Sequence, residues 1–328
     1  MKKILTNKRE SGMSRIVGVE ESVEQELLDY FKIQFEKDQR GAMEQEHTPE
    51  LDALISQANE KMKEFMARYG IQSLEIPSRN IHVVDKSKLS PQQIAWLKDR
   101  YEKTSGVWLP NKQQIGVLEG YVPNSKLHFV QILIHEMIHA NAFGSSQKVK
   151  KGGVELTKGD KSIRLDMRRG GFEINSDKTG KMFFHDLNEV ITTELTMRFD
   201  HNYFSQFEDL KQEYEERKEA IEAVAKRSGK GEQDLEWLIA NLEHREARNG
   251  HEVILRTYSY HDEREKLNQL VNDLYERNRS EFQSSEDVFT LFAKAALNGR
   301  LLPIARLIEK TYGKGSFRGL GEKTAQLP

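Results

Sequence analysis

His135, Glu136 and His139 stand in the stretch HEMIH, where residue types and spacing could do chemistry. On an α-helix, positions i and i+4 lie on one face, so two imidazoles can grip a single zinc ion together. The glutamate between them is badly placed to ligate the same ion, but from the next position it can reach a metal-bound water and take its proton. In a chain of this length and composition the pattern would arise by chance on the order of 0.03 times. Leu127, Phe129, Val130, Ile132, Leu133, Ile134, Met137, Ile138 and Phe143 surround it, which makes the helix apolar on nearly every side, and such a helix must be buried. Two histidines and a glutamate buried there need partners. A metal supplies them, whereas histidines satisfied within a core would not need this spacing.

The rest of the chain has to position that helix. With 328 residues it can hold one large domain or two. A net charge of -2 with 31% charged residues argues against a protein that coats nucleic acid. There is no cysteine, so a transition metal must use His and carboxylates, and disulfides and cysteine nucleophiles are excluded. The N-terminal MKKILTNKRESGMSR lacks the apolar run of a signal peptide, and no stretch approaches the roughly 20 apolar residues of a membrane span. The expectation is a soluble, cytoplasmic protein with no membrane partner.

Residues 1–46 are rich in charge, with a helical patch at Leu27, Leu28, Phe31 and Phe35, and read as a mobile arm or peripheral helix. Thr48 and Pro49 open a helix whose Leu51, Leu54, Ile55, Ala58, Met62, Phe65, Met66 and Tyr69 follow at helical spacing until Gly70. Ile76 to Asp85 reads as a strand. Ser90, Pro91 and Gln93 form a capping box for a short helix carrying Ile94, Leu97 and Tyr101. Gly106 to Leu118 reads as two short strands about a Pro-Asn turn, the second leading into the HEMIH helix. Ser145 to Lys181 alternates polar and apolar residues as a β-hairpin or meander. Its Lys148, Lys150, Lys151, Lys158, Arg168 and Arg169 read as a solvated face rather than a surface for an acidic partner.

Phe183 to Phe199 (FFHDLNEVITTELTMRF) is a second helix relevant to the site. Between 206 and 250 the chain is dense in Glu, Lys and Arg, and reads as a helical hairpin through which a protein partner could bind. Helices then run from about His261 to Asn278, Ser285 to Leu297 and Leu301 to Tyr312, with Gly299 and Gly313 closing the last two. The expected division is an arm at 1–46, a core at 47–205 with a hairpin insertion near 145–182, the helical hairpin at 206–250, and a helical subdomain at 251–328.

Two histidines leave zinc short of the three protein ligands usual in catalytic sites. The metzincin continuation would require Gly at 142 and His at 145, and the chain has Ala142 and Ser145. The remaining common solution is a glutamate on a later helix, and LNEVITTELT supplies Glu189. His185, one turn before it, is the rival third ligand.

With Asn188 beside Glu189, these residues resemble the gluzincin clan of zinc metallopeptidases, in which thermolysin-like enzymes carry HExxH and a downstream NExxS/T-D/E. The strand IGVL, the HEMIH helix and the LNEVIT helix match in order. The chain also resembles uncharacterised bacterial zincin-like proteins with an LNEAITE segment. The resemblance covers roughly residues 75 to 200 and is specific at the motifs. It implies an α+β, zincin-like fold with a small mixed sheet and a mainly helical C-terminal portion. It implies one Zn2+ held by His135, His139 and Glu189, and a polypeptide substrate hydrolysed with Glu136 as general base. The alternative is a non-catalytic interaction module with a structural metal, for which Glu136 would have no use; a toxin-like or mobile-element protease with one cellular target would share the same site.

The family pattern often has a carboxylate four residues after the ligand glutamate, where it holds the first histidine. Here that position is Thr193, so the outer partner is expected from Glu194, Asp186 or elsewhere. Gluzincin-like sites also commonly take an oxyanion donor, a Tyr or His, from a later helix. Tyr260, opening the run YHDEREKLNQLVNDLY, is the expected donor. Tyr258 and His261 are near alternatives, and a packing role for Tyr260 is the plain one. In a zincin arrangement, Ile115 to Leu118 would be the sheet edge that pairs with an extended substrate.

Overall fold

The computed structural model describes residues 11–36, 44–85, 88–93, 95, 105–118, 125–150, 153–158, 161–176, 179–247 and 250–322. The N-terminal region is a strand β1 (Arg15–Val17) followed by a helix α1 (Glu21–Glu36). Leu27 and Phe31 of α1 pack on Leu165, so the apolar patch within the charge-rich stretch docks this helix on the body. Helix α2 (Pro49–Arg68) begins as its sequence dictates: the Thr48 side chain accepts from the Leu51 amide at 3.2 Å, and Pro49 occupies the first turn. Its apolar stripe is buried, and Gly70, at φ +70°, ends it.

The strand expected over Ile76–Asp85 is shorter, β2 (Ile81–Val83), because the preceding residues Ser78–Asn80 form a 3-10 turn after Pro77. The buried Asn80 side-chain Nδ2 donates to the Gln113 carbonyl at 2.9 Å, which holds that turn against the next hairpin. Strands β3 (Gly106–Leu109) and β4 (Gln114–Val117) pair antiparallel, and β2 pairs parallel with β4, giving the order β2-β4-β3. Ile115–Leu118 is therefore in the middle of its sheet and not at the edge expected for it. The edge is β3. Alternation marks a strand but carries no information on its neighbours, and the parallel partner comes from far away in sequence. The Ser90–Gln93 capping box forms, with the Ser90 amide 2.8 Å from Gln93 Oε1 and the Gln93 amide 3.3 Å from Ser90 Oγ; Ile94, Leu97 and Tyr101 lie outside the described residues.

Helix α3 (Lys126–Asn141) carries HEMIH and is buried along most of its length. The meander that follows, β5 (Gly144–Lys148), β6 (Val154–Lys158), β7 (Lys161–Gly170), β8 (Glu173–Asn175) and β9 (Met182–Phe183), forms one sheet with β1 in parallel beside β5. Its arginines are engaged within the fold. Arg168 donates to the Asn175 carbonyl, and Arg169 to the carbonyls of Gly171, Ala295 and Gly299 at 2.6–2.8 Å. Lys151 lies outside the described residues.

Helix α4 (His185–Tyr203) packs against α3. The region expected to be a helical hairpin is only half so. Helices α5 (Lys211–Ser228) and α6 (Glu232–Glu236) give way to an antiparallel ribbon, β10 (Ile239–Ala247) and β11 (Gly250–Thr257). Glu and Arg favour helix locally, but Leu242 pairs with Leu255 and Glu243 with Ile254, so β10 takes its conformation from the β-favouring run on the other strand. The last helices are α7 (His261–Arg277), α8 (Ser285–Asn298), α9 (Leu301–Tyr312) and α10 (Ser316–Glu322). Ser284 and Asp287 cap α8 reciprocally, and Gly299 and Gly313 stand at the helix ends. One core cluster joins α2, α3, α4, α7, α8 and α9. The architecture is mixed α+β, and no helix among the described residues is long and apolar enough to cross a membrane.

Candidate metal centre

The i, i+4 spacing on α3 turns His135 and His139 to one face, with ring centroids 4.8 Å apart and the two Nε2 atoms 3.2 Å apart. Glu189 enters from α4, with Oε1 3.4 Å from His139 Nε2 and Oε2 3.6 Å from His135 Nε2. Among the described residues these three form the group that could hold a metal ion. The Asn188 side chain fixes the start of α4. It accepts from the Phe172 amide at 2.9 Å, over Gly171, where a Cβ would fall 2.3 Å from Asn188 Oδ1. Gly171 also has φ +58°, so close approach and backbone conformation both require glycine.

Glu189 is held far below the usual carboxylate range: burial works to raise it, but the charges of His139 and His135 and their hydrogen bonds outweigh that cost. His139 is pushed up to about 9, burial opposing and Glu189 prevailing. Glu136 is buried and outside the donor group. Burial raises its pKa, against the pull of the two imidazoles and of the Trp108 backbone amide, which donates to it. Strand β3 presses on this carboxylate. A Cβ at Gly106 would lie 2.9 Å from Glu136 Oε1 and 2.6 Å from Ile132 Cγ2.

Of the outer partners expected for the first histidine, Glu194 is engaged elsewhere. Glu194 faces the opposite side of α4 and pairs with Arg198 at 3.0 Å and with Arg264 of α7 at 3.4 Å. Thr196 instead lies 3.4 Å from His135 Nδ1. His185 is outside the donor group: its Nδ1 is 2.5 Å from Glu173 Oε2, and this hydrogen bond raises its pKa. Tyr260 caps α7 in the left-handed region, φ 57°, and lines the same cleft as the three donor residues. Burial, then the charges of Glu189 and Asp186, push its pKa up to about 12, so its hydroxyl keeps its proton. Tyr258 is buried and donates to Asp200, whose carboxylate also takes a bidentate pair from Arg217 at 2.7 Å. His261 pairs with Glu265 at 3.7 Å, half-exposed.

The donors open onto a cleft of about 990 Å³, lined by residues of α3, by Ser105–Trp108 and by Arg256–Tyr260. Sequence reasoning missed Glu173, Thr196 and Glu213. Glu213, on α5, caps α3, receiving the Lys126 and Leu127 amides on its two oxygens at 2.9 Å each. No local signal marks these residues, since each meets a partner distant in sequence. No protein-family model, curated protein or solved structure matches this chain.

Proposed function

We propose that the chain is a zinc-dependent peptidase of zincin-like design, acting on polypeptide. The observation that carries this reading is the spacing of the donors. Tetrahedral zinc with bonds of about 2.0–2.1 Å sets its ligand atoms roughly 3.3–3.4 Å apart; here the two imidazole Nε2 atoms are 3.2 Å apart, and Glu189 brings Oε1 to 3.4 Å from His139 and Oε2 to 3.6 Å from His135, with one atom from each residue lying within 4.8 Å of the others. A buried hydroxyl without a partner, Thr193 Oγ1, also lines the cleft one turn after Glu189, as a site that takes a further polar occupant would leave it. His135, His139 and Glu189 would hold the ion. When bound, zinc supplies a Lewis acid for the scissile carbonyl and acidity to a water at neutral pH.

Glu136, as carboxylate, takes a proton from the attacking water while the water oxygen bonds to the carbonyl carbon. As the C–N bond breaks, Glu136 returns that proton to the leaving amine. Tyr260, uncharged, donates its hydroxyl proton in a hydrogen bond to the developing oxyanion. The edge of β3, beside Glu136, offers main-chain groups to an extended substrate, which gives affinity with little sequence demand. A purely structural metal has no use for a buried carboxylate beside its ligands or for an open cleft above them, and both favour catalysis.

Metal analysis of wild type, Glu189→Ala and His185→Ala tests the ligand set. One zinc per chain is expected in wild type and His185→Ala, and its loss in Glu189→Ala. Zinc retained by Glu189→Ala and lost from His185→Ala would overturn the assignment.

A further inference from the structure

We propose that Thr196 is the positioning residue for His135, fixing which ring nitrogen faces the donor group by giving its own proton to the helix backbone. The inference rests on the metal reading above and deepens it. Thr196 Oγ1 lies 2.9 Å from the Thr192 carbonyl, the i−4 position of α4, and 3.4 Å from His135 Nδ1. A hydroxyl has one proton to donate. Because a carbonyl can only accept, that proton goes to Thr192, and toward His135 the oxygen presents lone pairs. The ring nitrogen facing it must therefore carry hydrogen, which places a proton on His135 Nδ1: the charged ring also donates from Nε2 to Glu189, and the neutral ring is the Nδ1–H tautomer, with its Nε2 lone pair left for an ion in the donor group.

The neighbouring carboxylates are committed elsewhere. Glu194 is spent on Arg198 and Arg264, and Asp200 on Arg217 and Tyr258. Thr196 is 3% exposed, so water does not compete freely for the contact. Outer partners of ligating histidines are typically worth 10- to 100-fold in metal affinity. A neutral hydroxyl fills that place here.

The test compares wild type, Thr196→Val, which keeps the shape and removes the oxygen, and Thr196→Ser, which keeps the hydroxyl. Zinc affinity is measured by competition with a chromophoric chelator, and the tautomer of the neutral His135 ring in metal-free protein by 15N NMR. Thermal unfolding checks that each variant folds. Thr196→Val is expected to bind zinc about tenfold or more weakly and to gain the Nε2–H form, while Thr196→Ser stays within about twofold of wild type by the same contact. Wild-type affinity or an unchanged tautomer in Thr196→Val would overturn the proposal. Wild-type protein that binds no zinc would instead overturn the metal reading, and the ring measurement would then decide Thr196 alone.

Discussion

In the proposed mechanism Glu136 and Tyr260 divide the chemistry between them, and the backbone around each sets its place. Glu136 is buried against β3, where Gly106 leaves room that no other residue could leave. Gly106→Ala is expected to keep its zinc and to lose tenfold or more in kcat, since a displacement of about 1 Å can cost on the order of 10²-fold; metal analysis beside steady-state rates checks it. Tyr260 sits in a backbone conformation unusual for tyrosine, at the N-terminus of α7 and facing the cleft. Tyr260→Phe removes only the hydroxyl. If that hydroxyl binds the transition state, kcat falls by about 10²-fold with KM little changed. A variant with wild-type kinetics would return Tyr260 to packing.

The elements that hold these residues are tied together by buried polar contacts from distant segments. Glu213 of α5 caps the HEMIH helix, and Gln131 of that helix donates to Asp200 of α4 at 3.1 Å and to the Ala240 carbonyl of β10 at 2.6 Å. Glu213→Ala strips two amides of their acceptor at the positive end of the helix dipole. It is expected to cost about 1–2 kcal/mol of stability, read by denaturant unfolding. Elements with their own period and caps were legible in the sequence: α2 with Thr48 and Pro49, and α8 and α9 with their closing glycines. β10 was not, because its composition favours helix and its strand state is imposed by β11. Thr196 was not legible as partner of His135 because that depends on Arg264 of α7 claiming Glu194 on the other side of α4. His135, His139 and Glu189 could be found because two are local to one helix and the third stands in the LNEVIT segment of the next.

At the scale of the molecule, the cleft is lined jointly by α3, by Ser105–Trp108 at strand β3, and by Arg256–Tyr260 leading from β11 to α7. It brings together Glu136, Tyr260 and the three residues of the donor group. Ala240–Leu242 of the ribbon also line it, and Arg217 of α5 is buried on Asp200 of α4, so both elements pack on the body that carries the site. The central proposal is zinc-dependent peptide hydrolysis with Glu136 as base. The most direct measurement is cleavage of a proteome-derived peptide library by the zinc-loaded wild type and by Glu136→Gln at matched metal content. Wild type should cut, and Glu136→Gln, zinc retained, should cut 10²- to 10⁴-fold more slowly; equal rates for the two, or no cleavage by the zinc-loaded wild type, would contradict it.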